Sequence, residues 1–348
     1  MKIVVLAGGL STERDVSINS GKQISQALIS KGHKVILIDL FLGYEKDIDN
    51  IDMLFDECKD LTIDTMIKDT LPDLEEIKNL RQDKSPSHFG KNVITLCQHA
   101  DICFLGLHGG EGENGQLQAS LDMLGIKYTG TDYLSAAIAM HKGFTKDVFF
   151  SNNIPAAKSV LFHKGDNIES YNEFPCVVKP CSAGSSVGVH IVENKNDFID
   201  AMEDAFSFES DVLVEEYIKG REFSVGVLDS IALPVIEIIP KEGWFDYKNK
   251  YQDGATNEVC PAKISEEVSK KMQQAAIDVF KILSLKVYSR IDFLLDDQNN
   301  IYCLEANTLP GMSKASLLPK EAGVADMDYP ALCERIINLS IEKYKRAK

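Results

Sequence analysis

Arg290-Ile291-Asp292-Phe293-Leu294-Leu295 and, past a polar loop, Cys303-Leu304-Glu305-Ala306-Asn307 are the two runs whose reading decides the fold. Both are rich in strand-forming residues, and Asp297-Gln298-Asn299-Asn300 between them reads as the turn of an antiparallel hairpin. Side chains alternate along a strand, so Glu305 and Asn307 share one face while Leu304 and Ala306 share the other. A four-residue loop pairs Asp296 with Ile301, which sets Asp292 opposite Glu305 and Arg290 opposite Asn307. Slipping the register by one would turn the acids towards leucines. Two carboxylates and an amide oxygen on rigid strands make a hard-oxygen site, whose usual occupant is Mg²⁺ with nucleotide phosphates. The plainer reading is the solvated outer face of an ordinary hairpin. Two features weigh against it: directly opposed acids repel unless a cation joins them, and the stiff turn Thr308-Leu309-Pro310-Gly311-Met312 follows at once.

Working outward, 348 residues suggest two or three domains, and 44% hydrophobic residues supply sizeable cores. A net charge of −16 and a pI near 4.9 argue against a nucleic-acid or anionic-membrane partner. No apolar run approaches the length of a membrane-spanning helix. The start, Met1-Lys2-Ile3-Val4-Val5-Leu6-Ala7-Gly8-Gly9, is too short for a signal peptide and reads as a buried strand meeting a turn. Eight cysteines occur singly, with no CxxC pair and mostly in apolar runs. Buried free thiols in a reducing cytoplasm fit them better than disulfides or a zinc site.

The first third alternates strands (2–7, 34–38, 100–107) with helices (17–31, 116–124), which implies a parallel, doubly wound sheet. Residues 41–98 are acidic and loosely patterned, helical with a loop at 83–87. A helix over 135–150 leads into a second unit, where strands at 176–179 and 188–192 flank a glycine-serine loop, followed by a helix (196–206) and a strand (212–217). From Arg221 a third unit holds antiparallel strands, a helix over 266–283, the hairpin and a last helix from Tyr329.

Several loops carry potential chemistry. In Lys179-Pro180-Cys181-Ser182-Ala183-Gly184-Ser185-Ser186-Val187-Gly188 small residues let backbone amides approach phosphate oxygens, and Lys179 supplies charge. A strand follows rather than a helix, so this is no Walker loop, and a plain hairpin turn fits equally well. Val212-Leu213-Val214-Glu215-Glu216-Tyr217-Ile218 runs from an apolar strand into a linker of the kind that can hold adenine; taken alone it reads as a buried strand with a solvated Glu216. His108-Gly109-Gly110-Glu111-Gly112-Glu113-Asn114-Gly115-Gln116 follows a parallel strand, where open α/β sheets place ligands; a mobile surface loop is the alternative. Gly8-Gly9-Leu10-Ser11-Thr12-Glu13-Arg14-Asp15 joins the first strand to the first helix, where Glu13, taken in isolation, reads as a mere partner of the helix dipole rather than a ligand group.

Taken in this order, over essentially the whole chain, these motifs resemble the D-alanine–D-alanine ligases of the ATP-grasp superfamily. The resemblance implies a three-domain ATP-grasp architecture: an N-terminal parallel doubly wound domain (1–134), a central subdomain (135–219) and a C-terminal subdomain (220–348) carrying the metal and acyl-transfer site. It implies a cytoplasmic homodimer that uses ATP and Mg²⁺ or Mn²⁺, two ions in all, to join two D-alanines for peptidoglycan precursors. Asp292, Glu305 and Asn307 take the places of the metal ligands. Lys142, Lys179, Ser186 and Lys250 correspond to phosphate contacts, Glu215 and Glu222 to acids that hold adenine and ribose, and Ile218 to a backbone contact with the base. Glu13 is the counter-ion of the first D-alanine ammonium, coupled to Ser185 and Tyr251, which close loops over the site. Arg290 and the Gly311 N–H form an oxyanion hole, Ser316 and Leu317 cradle the second carboxylate, and His108 assists or orients the first substrate or simply satisfies its loop.

One position departs from the pattern: Ala139-Met140-His141-Lys142 has histidine where relatives usually carry aspartate. Lys250-Tyr251 matches the dipeptide-forming pattern, which argues against D-lactate as acceptor and leaves D-serine open. Another ATP-grasp carboxylate–amine ligase fits Glu13 and Ser316-Leu317 less well. A non-catalytic nucleotide-binding regulator on the same fold would not need Arg290.

Overall fold

The computed structural model describes residues 1–62, 72–184, 186–241 and 256–346. Continuous apolar runs make the first sheet, since parallel strands are covered on both faces. β1 (Lys2–Ala7) lies between β2 (Lys34–Asp39) and β3 (Ile102–Leu105), parallel to both. The helix Arg14–Ser30 begins earlier than its apolar periodicity places it, because Arg14 is itself buried. It forms an ion pair with Asp39 at the end of β2 and donates to Gly9 O at 2.8 Å. Asp39 Oδ1 in turn accepts the N–H groups of Phe41 and Leu42 at 2.8 and 3.0 Å. Residues 41–98 hold the short helices Ile51–Asp56, Leu74–Leu80 and Val93–His99 among the described residues. Leu74–Leu80 buries no side chain, which is why no clear period marks it. The core of this unit is completed from the far end of the chain: Leu332, Cys333, Ile336, Ile337 and Leu339 of the helix Tyr329–Arg346 pack into it. Tyr344 Oη accepts the Tyr128 N–H at 3.1 Å, and Lys343 Nζ donates to Gly130 O at 2.9 Å.

The single helix expected over 135–150 is two, Tyr133–Met140 and Lys142–Ser151, divided at His141. His141 leaves the helical region (φ −85°, ψ 99°), and its Nδ1 accepts the Phe144 N–H at 3.2 Å. Its Nε2 donates to Asp211 Oδ2 at 3.2 Å, which requires the Nε2–H tautomer. An imidazole with an open Nδ1 lone pair thus does what aspartate does at a helix start.

The central sheet is antiparallel throughout, in the order β4 (Ser159–His163), β7 (Asp211–Glu216), β5 (Cys176–Pro180), β6 (His190–Val192). The helix Lys195–Phe208 buries Phe198, Ala201, Met202 and Ala205 against it.

The third sheet runs β11 (Thr256–Val259), β10 (Ile236–Pro240), β8 (Gly220–Leu228), β12 (Tyr288–Asp296), β13 (Ile301–Asn307), with β9 (Ile231–Ala232) beside β8. Its two faces divide by alternation. Phe223, Val225 and Val227 of β8 and Ile291, Phe293 and Leu295 of β12 pack on one face beneath the helix Glu266–Ile282. Glu222, Ser224 and Gly226 oppose Leu294, Asp292 and Arg290 on the other.

The hairpin register corrects the sequence reading near the turn. Leu295 faces Ile301, Leu294 faces Tyr302 and Phe293 faces Cys303, so Asp296 does not pair with Ile301 and the loop is one residue longer. Asp296 organises that loop: its Oδ1 accepts from Gln298 N at 2.9 Å and Asn300 N at 2.8 Å. Past Phe293 the register shifts by one, with Leu304 as the extra residue of a β-bulge. The bulge restores Asp292 opposite Glu305 and Arg290 opposite Asn307. It also lets Cys303 and Ala306, three apart, enter the same core. Among the described residues no helix is long and apolar enough to cross a membrane.

Candidate active site

The polar face of the third sheet gathers the hairpin residues. Arg290 grips Asp292 with both ends of its fork, Nε to Oδ1 at 2.9 Å and Nη2 to Oδ2 at 2.6 Å. Ser224 Oγ, opposite on β8, donates to Asp292 Oδ1 at 2.8 Å. Across the pair, Glu305 Oε2 lies 3.6 Å from Lys142 Nζ, which also donates to Ala183 O at 3.0 Å. Asn307 Oδ1 accepts the Leu309 N–H at 3.0 Å and so starts the turn that follows. Among the described residues no three His, Cys, Asp or Glu side chains cluster as a metal site. The donor set here is two carboxylates and one amide, all hard oxygens, and Glu305 is only half-buried; that chemistry fits a cation of the magnesium class.

A second cluster lies where the central sheet meets this face. The buried carboxylate of Glu215 on β7 is shared by Lys179 of β5, in a close ion pair, and Lys146, at 2.9 Å. Burial alone would raise the Glu215 carboxyl, but the two ammonium groups override it and hold it at about 2. Lys146 Nζ also donates to Cys303 O at 2.9 Å. The β5–β6 loop above them places Ser186 at φ +61°. Ile218 lies half-buried in the linker between β7 and β8, and Glu222 follows on the polar face.

The third cluster surrounds Glu13, which is buried at the start of the first helix. A Cβ on Gly109 would lie 2.7 Å from Glu13 Oε2, and one on Gly184 3.1 Å, so loops of the first and second units both close on this carboxylate. Gly109 also has φ +68°, which doubly restricts the position to glycine. Glu113 accepts the Gly109 N–H at 2.8 Å. Burial raises its carboxyl, with the charge of Glu13 adding to it, to about 8. His108 is enclosed: Nδ1 approaches Leu309 O at 3.2 Å and Nε2 approaches Ser20 Oγ at 3.1 Å. Burial lowers its pKa, so a neutral ring joins the first unit to the turn after β13. Beyond that turn, Ser316 Oγ accepts the Ser313 N–H at 3.1 Å, and a Cβ on Gly311 would come within 2.8 Å of the same oxygen. Leu317 packs on Ile236 and Ile238.

The structure therefore brings Arg290, Asp292, Glu305 and Asn307 onto one face with Lys142 beside it, while Lys179 and Glu215 pair in the central sheet. Ser185, Lys250 and Tyr251 lie outside the described residues. Lys146, Ser224, Glu113 and the Arg14–Asp39 pair were not legible as site residues. One signal for Lys146 was available: it stands four residues from Lys142 on one helix, so both point the same way.

Comparison with known proteins agrees along the full length. The family profile described as D-ala D-ala ligase N-terminus matches residues 2–131, and that described as D-ala D-ala ligase C-terminus matches residues 148–338. The chain is 45% identical over 341 residues to the D-alanine–D-alanine ligase of Pediococcus pentosaceus, covering 97% of each. It is 43% identical over 347 residues to that of Lacticaseibacillus casei, covering 99% of this chain and 97% of the other. Among solved structures, the D-alanine–D-alanine ligase of Bacillus anthracis complexed with ATP superposes with a TM-score of 0.77 at 28% identity, both chains covered in full. The enzyme of Coxiella burnetii gives 0.77 at 28%, covering all of this chain and 95% of the other. With its three sheets in this order, the chain has the ATP-grasp fold and belongs to the D-alanine–D-alanine ligase family.

Proposed function

We propose that the protein joins two D-alanines through a D-alanyl phosphate, giving D-alanyl-D-alanine, ADP and phosphate. The observation that carries this reading is the single face holding Arg290, Asp292, Glu305 and Asn307, in a chain 45% identical to a curated ligase. A carboxylate acylates poorly because its charge repels nucleophiles and its oxygen leaves badly. ATP supplies the phosphoryl group that makes its oxygen a leaving group; Asp292, Glu305 and Asn307 would hold Mg²⁺ or Mn²⁺, two ions in all, which would offset the phosphate charge. Lys142, Lys179, Ser186 and Lys250 hold the phosphates. Ile218 and the backbone of Glu215 face the base, and Glu222 the ribose. The carboxylate of Glu215 is occupied by its two lysines, so its side chain serves to aim them.

Glu13 holds the first D-alanine ammonium, with His108 fixing the neighbouring turn. The second amine attacks the acyl carbon, and Arg290 with the Gly311 N–H stabilises the oxyanion. Ser316 and Leu317 receive the second carboxylate. Ser185 and Tyr251 complete a cover that keeps water from the acyl phosphate. The units are taken as 1–134, 135–219 and 220–348, and the working form as a cytoplasmic homodimer with no nucleic-acid or membrane partner. ADP release with D-alanine, L-alanine, D-serine and D-lactate, with the product identified by mass, tests the assignment. Dipeptide from D-alanine alone supports it, whereas a better turnover with D-lactate would replace it with a depsipeptide ligase.

A further inference from the structure

Glu321 is completely buried on the helix Leu317–Val324. Its Oε2 accepts the Gly226 N–H at 2.8 Å, while its Oε1 has no hydrogen-bond partner among the described residues. Gly226 is the residue of β8 directly opposite Arg290 on β12. Opposed residues present their side chains to the same face, so the Glu321 carboxyl fills the space of the side chain that Gly226 lacks. That is the face carrying Arg290 and Asp292. A Cβ on Gly226 would run into Glu321 Oε2 and Leu318 Cδ1, which ties the glycine to the acid. Leu317 stands four residues before Glu321 on the same helix side and packs on Ile236 and Ile238 of the same face. One helical turn thus separates the start of the helix, at Ser316 and Leu317, from an acid lodged beside the strand of Arg290.

We propose that Glu321 is a positioning residue for the acceptor half of the reaction: its buried carboxyl, lodged against Gly226, fixes the helix bearing Ser316 and Leu317 relative to Arg290. The inference rests on the roles given above to Arg290, Ser316 and Leu317. Burial pushes the carboxyl well above the usual range, and neither the Gly226 N–H nor the charge of Arg290 restores it. A neutral acid leaves the guanidinium to Asp292 and to the developing oxyanion. An ionised one would compete for it.

Initial rates over a wide D-alanine range, resolving the constants of the two substrate sites, test this on the full chain beside ATP binding and thermal unfolding. Glu321→Gln keeps the volume, the acceptor oxygen and the neutrality, and stays within about twofold of the unmodified protein in all constants. Glu321→Met fills the volume without an acceptor and weakens the acceptor site by about tenfold, with the first site and ATP within about twofold. Wild-type constants in the Met variant overturn the proposal. So does a Gln variant as impaired as Met, because that requires an ionised carboxylate. If the Met variant fails to fold, the Gln variant still tests the proposal: an acceptor constant weakened by more than about twofold in it overturns the role of Glu321. If the unmodified protein makes no dipeptide, the ligase reading falls; if it does and the variants behave otherwise, only the role of Glu321 falls.

Discussion

Lys146 Nζ lies 2.9 Å from Glu215 Oε1, and both side chains are buried, one on the helix Lys142–Ser151 and the other on β7. The same ammonium donates to Cys303 O on β13, so one charge joins the central sheet to the strand that carries Glu305.

Removing that charge is expected to be costly. Lys146→Met leaves Glu215 with Lys179 alone, and breaking a buried pair typically costs about 3–5 kcal/mol. Glu215 sits at about 2 against an ordinary 4.5, so its contribution is full above pH 4.5 and is lost as pH falls towards 2. Urea unfolding at pH 7 and pH 3 checks both statements. The variant should lose stability at pH 7 and approach the unmodified protein at pH 3; an unchanged midpoint at pH 7 would mean that the pair does not stabilise the fold.

On the hairpin, Glu305→Gln should nearly abolish turnover while the thermal midpoint stays put, since a charge is lost and the volume kept. Asn307→Asp should be milder, because it retains an oxygen donor. Near-normal activity of the Gln variant at ordinary Mg²⁺ would move the metal site elsewhere.

Arg290→Ala separates condensation from nucleotide binding. One lost oxyanion donor costs about 3–4 kcal/mol in the barrier, or about 10²–10³ in rate. ATP affinity, read by calorimetry, should change far less. Equal losses in both would put the guanidinium in the nucleotide pocket.

Glu113 gives a pH dependence of the opposite sign. Its carboxyl stands at about 8 in the fold against an ordinary 4.5, so the folded state holds the proton more tightly between those values. Stability therefore falls as pH rises through that window. Glu113→Gln, neutral at every pH, should match the unmodified protein near pH 4.5 and melt higher at pH 8. The same difference in melting temperature at both pH values would rule out a protonated Glu113.

How far the sequence disclosed all this depended on whether the signal was local. The opposition of Asp292 to Glu305 could be read because polar and apolar residues alternate on both strands. The bulge at Leu304 could not: an extra residue beside a longer loop cancels in the register, and only the shared core of Cys303 and Ala306 betrays it. The break at His141 was hidden because apolar periodicity carries on across it, and its one marker is a cap made by a residue that seldom caps. Lys146 and Glu215 are 69 positions apart, and Glu321 and Gly226 95; such pairings exist only once the sheets have met.

The last helix has a bearing on synthesis. Leu332, Cys333, Ile336, Ile337 and Leu339 belong to the core around β1, so that strand completes its core only with a helix made much later. A chain halted before Tyr329 would emerge with that apolar surface open to water, however much of the first sheet had already formed. Protease sensitivity of ribosome-bound chains should accordingly persist in residues 1–131 until the helix Tyr329–Arg346 clears the tunnel. Early protection would show that the first sheet closes without it.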